Sequence, residues 1–181
     1  NSDFHLDEFT FSGRRPLPPG EEGQRIKNNI SELADELSKI KLLLGISEMT
    51  LNSGYRSPKK NKEKDGAANS VHMEGQAADF ICGNEKKCFE YYLTLLDAMK
   101  SGQIRQGGLG YYSYFLHYDT RGRAARWHGD KSKVRPSDEM LKKWAIVVKR
   151  KIKPMTKKEN KKHNDIKILS ENWSGYISEE K

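Results

Sequence analysis

The chain has 181 residues, 35% hydrophobic and 32% charged, with a net charge of +8. That is length enough for one ordinary domain with a real core, expected to be a monomer, and too apolar a composition for a disordered chain. No apolar run approaches the ~18 residues that a membrane-spanning helix needs. The sequence opens at Asn1 with no leader-like stretch, as a processed or truncated chain would, so this does not argue for the cytoplasm.

The charge is unevenly placed. Residues 131–181 hold 15 Lys and Arg against 7 Asp and Glu, whereas the first 130 hold 18 of each. The excess belongs to the C-terminal third, where it serves either as a solvated lysine-rich face or as a surface for anionic polymer. A nucleic-acid binder is not expected, because no aromatic-basic interleaving or recognisable module accompanies the lysines.

In chain order, FHLDEFTFSGRRPLPPG alternates apolar and polar residues, then breaks at Pro16, Pro18, Pro19 and Gly20. It reads as an extended arm with a turn. Ile26, Ile30, Leu33, Leu37, Ile40 and Leu44 recur at helical steps and stop at Gly45, predicting an amphipathic helix without chemistry on it. Met49 to Gly54 reads as a short strand, SPKKNKEKDG as a helical turn and loop, and ADFIC as a buried strand. Glu85 to Lys100 reads as a second helix with Cys88, Tyr92, Leu95, Leu96 and Met99 inward. GLGYY and YFLHYD have the character of two strands joined by a short turn. Ser137 or Asp138 caps a third helix carrying Met140, Leu141, Trp144, Ile146 and Val147, and IKILSENWSGYI adds a closing strand. The fold class is α+β: a small antiparallel sheet with helices packed on one side. One domain is expected over residues 1–154, followed by a basic extension over 155–181.

Cys82 and Cys88, separated by GNEKK, are the only cysteines. They either close a small disulfide loop in an oxidising compartment or remain two reduced thiols. A zinc role for them is not expected, since no CxxC or second cysteine pair exists.

The stretch with chemical content is SVHMEGQAADF, Ser70 to Phe80. His72 and Asp79 are good zinc donors, but seven residues is too far for one helical face. The spacing suits a loop that delivers His72, turns at Gly75 and re-enters on a strand at Asp79. Around it stand NSGYRSPKKN (Asn52 to Asn61), GGLGYY (Gly107 to Tyr112), FLHYDTRG (Phe115 to Gly122) and ARW (Ala125 to Trp127).

These blocks, in this order, resemble the zinc D,D-peptidases of the M15 type, which cut cell-wall peptides and share a hedgehog-like fold. The resemblance runs from about Asn52 to Trp127. It implies a Zn²⁺ site in a cleft over the sheet, held by His72, Asp79 and a third donor. Of His5, His117, His128 and His163, the best placed is His117, mid-strand in FLHYDT, where a rigid element fixes its direction. Strand alternation puts Phe115, His117 and Asp119 on one face and Leu116 and Tyr118 on the other.

Many relatives carry an acidic residue three positions before the last histidine ligand. Here that position is Tyr114, which departs from that version of the pattern. Asp119 matches the His-x-Asp version, either as the catalytic base or as an acceptor holding the His117 ring. Glu74 and His128 are further candidates for proton transfer. Arg56 is expected at the site, gripping a substrate carboxylate in bidentate fashion or an oxyanion. Ser70 and Tyr55 are expected on the substrate side, and Tyr55, Tyr111 and Trp127 also as core or cleft wall.

The activity this implies is release of the terminal D-alanine from peptidoglycan stem peptides. A murein endopeptidase is the alternative, and a non-catalytic zinc-binding module of the same fold is the alternative from another class. The expected location is the periplasm, cell envelope or exterior, with the basic third free to hold anionic wall polymer.

Overall fold

Residues 3–11 and 13–128 are described by the computed structural model, and all of them fall within one compact unit. The third helix, the closing strand, the basic extension, the boundary near residue 154 and His163 lie outside the described residues. Nine elements follow in order: α1 (Leu6–Thr10), α2 (Gly20–Leu44), β1 (Leu51–Ser53), α3 (Pro58–Glu63), β2 (Ala77–Ile81), α4 (Glu85–Lys100), β3 (Gly108–Tyr111), β4 (Phe115–Asp119) and β5 (Ala125–His128).

The N-terminal stretch departs from the expected extended arm by coiling into the short helix α1. The cause is local. Glu8 reaches back so that its Oε1 accepts from His5 N (2.8 Å), while Glu8 N donates to the His5 carbonyl (3.0 Å). This reciprocal pairing satisfies donors that a helix start otherwise leaves open, and it brings the buried rings of Phe4 and Phe9 to 6.1 Å.

Helix α2 follows its periodicity. Ile26, Ile30, Leu33, Leu37 and Ile40 are buried, and the helix ends at Gly45, whose φ of 64° is the left-handed conformation glycine adopts cheaply. In α4, Asn84 caps the start through Lys87 N (3.0 Å), and Phe89 and Tyr92 meet Tyr111 edge-on. Among the described residues no helix is long and apolar enough to cross a membrane.

The sheet is open, with strand order β1-β2-β4-β3-β5. Every neighbouring pair is antiparallel except β3 and β5, which run parallel. The reason is positional. Both edges of β4 are already taken, so β5 takes the open edge of β3, and a strand returning from β4 runs the way β3 does.

The register lines up Ser53, Asp79, His117, Gly110 and Trp127 in one row across all five strands. The opposite face, with Phe80, Leu116, Tyr118 and Tyr111, is the apolar side. Chemistry and core are thus separated by the strand period of two.

Cys82, just past β2, and Cys88, on α4, are joined in a disulfide with their Cα atoms 5.1 Å apart. This settles the two readings of the pair in favour of the bridge and ties the end of a sheet strand to the packed helix. Closing so short a loop should contribute about 2 kcal/mol. Replacing both cysteines with alanine should lower the unfolding free energy by that amount in urea titrations. Equal midpoints for variant and oxidised wild type would mean the bridge does not form in solution.

Candidate metal centre

His72 arrives on a tight turn. Met73 N donates to Ser70 O, Glu74 N to Val71 O, and Gly75 N to His72 O. Gly75 has φ 69°, and a Cβ there would lie 2.8 Å from the Ile26 carbonyl of α2. Only a glycine both turns the chain and lets it lie on the helix. Asp79 and His117 come from the adjacent strands β2 and β4, as cross-strand partners.

Three donor atoms converge. His72 Nε2 lies 3.2 Å from His117 Nδ1 and 3.3 Å from Asp79 Oδ1, and His117 Nδ1 lies 2.9 Å from Asp79 Oδ1. All three residues are buried.

The outer contacts fix which nitrogens face inward. His72 Nδ1 sits 2.7 Å from the Gly54 carbonyl, an acceptor only, so Nδ1 carries the proton and Nε2 presents a lone pair. His117 faces a carboxylate at each nitrogen, Asp119 Oδ2 at Nε2 (3.0 Å) and Asp79 Oδ1 at Nδ1 (2.9 Å), so Nε2 is held outward and Nδ1 is the nitrogen that faces the other donors. A cation among the three atoms would take the place of the proton that His117 Nδ1 and Asp79 otherwise share.

Their spacing suits one. A tetrahedral ion with bonds of about 2.0–2.1 Å has ligand–ligand edges of about 3.3 Å, close to the distances above. Two imidazoles and a carboxylate also form the donor set that zinc favours. His72, Asp79 and His117 are the group among the described residues that could hold a metal ion.

The electrostatics without a metal separate the two histidines. Burial lowers the affinity of His72 for a proton, more than Asp79 raises it. Burial works the same way on His117, but hydrogen bonds to Asp119 and Asp79 outweigh it and favour positive charge there. Burial opposes ionisation of Asp79, yet the two imidazoles hold its carboxyl well below the usual carboxylate range. A neutral, dry His72 and a carboxylate that stays ionised are what a metal ligand set requires.

Arg56 closes the next layer. Its Nη2 donates to Asp79 Oδ2 (2.7 Å) and lies 3.2 Å from His72 Nε2, while its Nε donates to Ser53 Oγ (2.9 Å). Trp127 stands beside His117, with ring centroids 4.8 Å apart, and its Nε1 donates to Tyr112 Oη (3.2 Å). Gly110 makes room for it, since a Cβ there would fall 2.6 Å from the indole.

Residues 4–119 match the sequence model of the Peptidase M15 family. The chain belongs to that family. It is therefore a peptidase with peptide substrates, and M15 peptidases are metal-dependent, in keeping with the donor cluster. No curated protein matches the chain.

Within this M15 fold the other expected site residues fall differently. Asp119 does not face the donors. It is fully buried behind His117, and its carboxylate accepts from Gly108 N (2.9 Å), from the Arg121 side chain (2.6–3.0 Å) and from Arg121 N (3.2 Å), besides His117. Of the two roles open to it, this geometry favours holding the imidazole over taking a proton from water. Tyr55 is 2% exposed, so its ring is wall rather than substrate contact. Ser70 is half-buried at the start of the His72 turn.

Glu74 points outward into an ion pair with Arg25 of α2. Tyr114 is exposed in the β3–β4 turn, Tyr111 is core, and the backbone of His128 pairs with that of Tyr111 in β5. His5 precedes α1 on the exposed surface.

Sequence reasoning missed the supports: the Ser53 hydroxyl, the Gly54 carbonyl, Gly108 and Arg121. All four lie inside the motif blocks, but a backbone carbonyl carries no sequence signal, and neither a serine, a glycine nor an arginine says by itself which side chain it supports. Gly108 is explained by Asp119, because a Cβ there would lie 2.1 Å from Asp119 Oδ2. The carboxylate is held from several directions and has no room to shift. Gly108→Ala should therefore destabilise the fold by roughly 1–3 kcal/mol, as overpacking does, measurable as a lower midpoint in urea.

Proposed function

We propose that this M15 peptidase is a zinc enzyme acting on peptidoglycan stem peptides, releasing the terminal D-alanine of a D-Ala-D-Ala end. The observation that carries it is the buried triangle of converging ligand atoms from His72, Asp79 and His117, with both imidazoles oriented from behind. Zinc held there would supply a Lewis acid for the peptide carbonyl and bring the pKa of water towards neutrality. The remaining work falls to the chain. Gly54 O and Asp119 keep the two imidazoles in the ligating tautomers. Trp127 packs beside the His117 ring.

Arg56 supplies fixed positive charge at the rim. Its Nε and Nη2 are engaged by Ser53 and Asp79, which leaves Nη1 for a substrate oxygen, a one-pronged contact rather than the bidentate grip expected. The charges also favour a carboxylate-ended substrate. Asp79 pairs with Arg56 and Asp119 with Arg121, so these four cancel. A divalent ion then leaves the site positive, which suits a peptide's terminal carboxylate better than the neutral cross-link that an endopeptidase cuts. The Cys82–Cys88 bridge fits an oxidising location, in the periplasm, envelope or exterior. The lysine-rich residues 131–181 would hold anionic wall polymer.

A second reading rests on a specific observation. Among the described residues, Asp79 is the one carboxylate that meets the inward nitrogens of both histidines, while Asp119 faces away and Tyr114 is no acid. That arrangement suits a metal-binding module without catalysis. Mass spectrometry of defined muropeptides, incubated with the protein with and without chelator, decides. Chelator-sensitive loss of one alanine is the expected result. Splitting of a cross-linked dimer would make it an endopeptidase, and intact substrates beside a metal-loaded chain would favour the module.

The ligand set has its own test. His72→Ala, Asp79→Ala and His117→Ala should each lose bound zinc, while His128→Ala and His163→Ala keep it. Elemental analysis showing full zinc in His117→Ala would remove that residue from the site.

A further inference from the structure

We propose that Arg121 is a positioning residue of the metal centre, acting through Asp119 and Trp127 on His117; the inference rests on the metal-binding reading above. Arg121 lies two residues beyond the stretch that matches the family. Its grip on Asp119 is two-pronged: Nε donates to Oδ1 (2.8 Å) and Oδ2 (3.0 Å), and Nη2 donates to Oδ2 (2.6 Å). Its backbone N–H adds a fourth contact, to Oδ1 at 3.2 Å, the local turn that an aspartate makes with the residue two ahead.

The chain is shaped for this. Thr120 N donates to Gln76 O (3.0 Å), and Gly122 has φ 81°, so the backbone turns immediately after Arg121. The same guanidinium lies 5.6 Å from the Trp127 ring centroid, within cation–π range. Trp127 in turn stands against His117. One side chain thus holds two neighbours of the His117 ring.

The consequence is mechanical. Asp119 Oδ2 takes both the His117 Nε2 proton and the Arg121 Nη2 proton. The plane of the carboxylate, and with it the direction of the His117 lone pair, is set by a rigid planar fork. An ammonium group would neutralise Asp119 equally well but cannot hold its plane, since it offers a point charge without fixed geometry.

That difference gives the test. Zinc affinity is read by competition with a chromophoric chelator, and ligand geometry by the visible absorption of the cobalt-loaded chain. Arg121→Ala should weaken zinc binding about 10–100-fold, the usual loss for a residue behind a ligand, and alter the cobalt bands. Arg121→Lys should bring the thermal midpoint of the metal-free chain back towards wild type while leaving the affinity loss and the altered bands in place.

Wild-type affinity and bands in Arg121→Ala would overturn the proposal. So would full recovery of both in Arg121→Lys, which would reduce Arg121 to a charge partner. If Arg121→Ala does not fold, the lysine variant carries the test alone. A wild-type chain that takes up no zinc would instead overturn the metal reading, and this inference with it.

Discussion

Two imidazole nitrogens and a carboxylate oxygen meet inside the protein, and most of what surrounds His72, Asp79 and His117 holds them pointing at one another. Left free, either imidazole would turn, or change tautomer, to place an N–H towards Asp79. The Gly54 carbonyl prevents this at His72, and the Asp119 carboxylate fixes the orientation of the His117 ring. Each ring thus keeps an outward N–H, and the inward nitrogen is the one left to meet a cation. The constraint is met from the back of the site, by atoms that never face a substrate.

Holding ionised carboxylates in such a place requires partners, because an unpaired buried charge costs several kcal/mol. Asp79 is 5% exposed and Asp119 fully buried, and each has an arginine. The two arginines are not equivalent. Arg56 stands at the rim, shares a hydrogen-bonded layer with Ser53, and keeps a nitrogen for an incoming group. Arg121 turns wholly to the support of Asp119 and Trp127. The two cations are therefore distinguished by what their remaining donors can reach, though each is an arginine beside an aspartate.

Much of this was legible in the sequence. Helices α2 and α4 were visible because apolar side chains recur at helical spacing, and β2 and β4 because a buried strand and an alternating one have distinct patterns. The cluster that could hold a metal was visible because imidazole and carboxylate chemistry is carried by residue type. Three things were not. Helix α1 depends on Glu8 reaching back to His5 N, a contact that competes with an alternating pattern of similar strength. The parallel pairing of β5 depends on which sheet edges remain open, which is a property of the assembled sheet. The direction in which Asp119 faces depends on Arg121 and on the missing side chain at Gly108. Strand alternation placed Asp119 on the same face as His117 without saying which ring nitrogen it would meet.

The N-terminal segment shows how far the site's supports extend. The Phe9 carbonyl accepts from Tyr55 N at 3.0 Å, and Arg15 Nη1 donates to the Tyr55 carbonyl at 3.2 Å. Gly54 presses so closely on Phe9 that a Cβ would come within 2.7 Å of its carbonyl oxygen. Gly54 and Tyr55 are thereby fixed from one side by α1, and on the other side Gly54 O receives the His72 proton while Arg56 N donates to the His72 carbonyl (3.1 Å). Position passes from the burial of Phe4 and Phe9, through two backbone hydrogen bonds, to the direction of an imidazole. The match to the family begins at residue 4, well before any residue with chemistry of its own. That boundary has a physical basis: without the short helix, the carbonyl that sets the His72 tautomer would lose the packing that holds it.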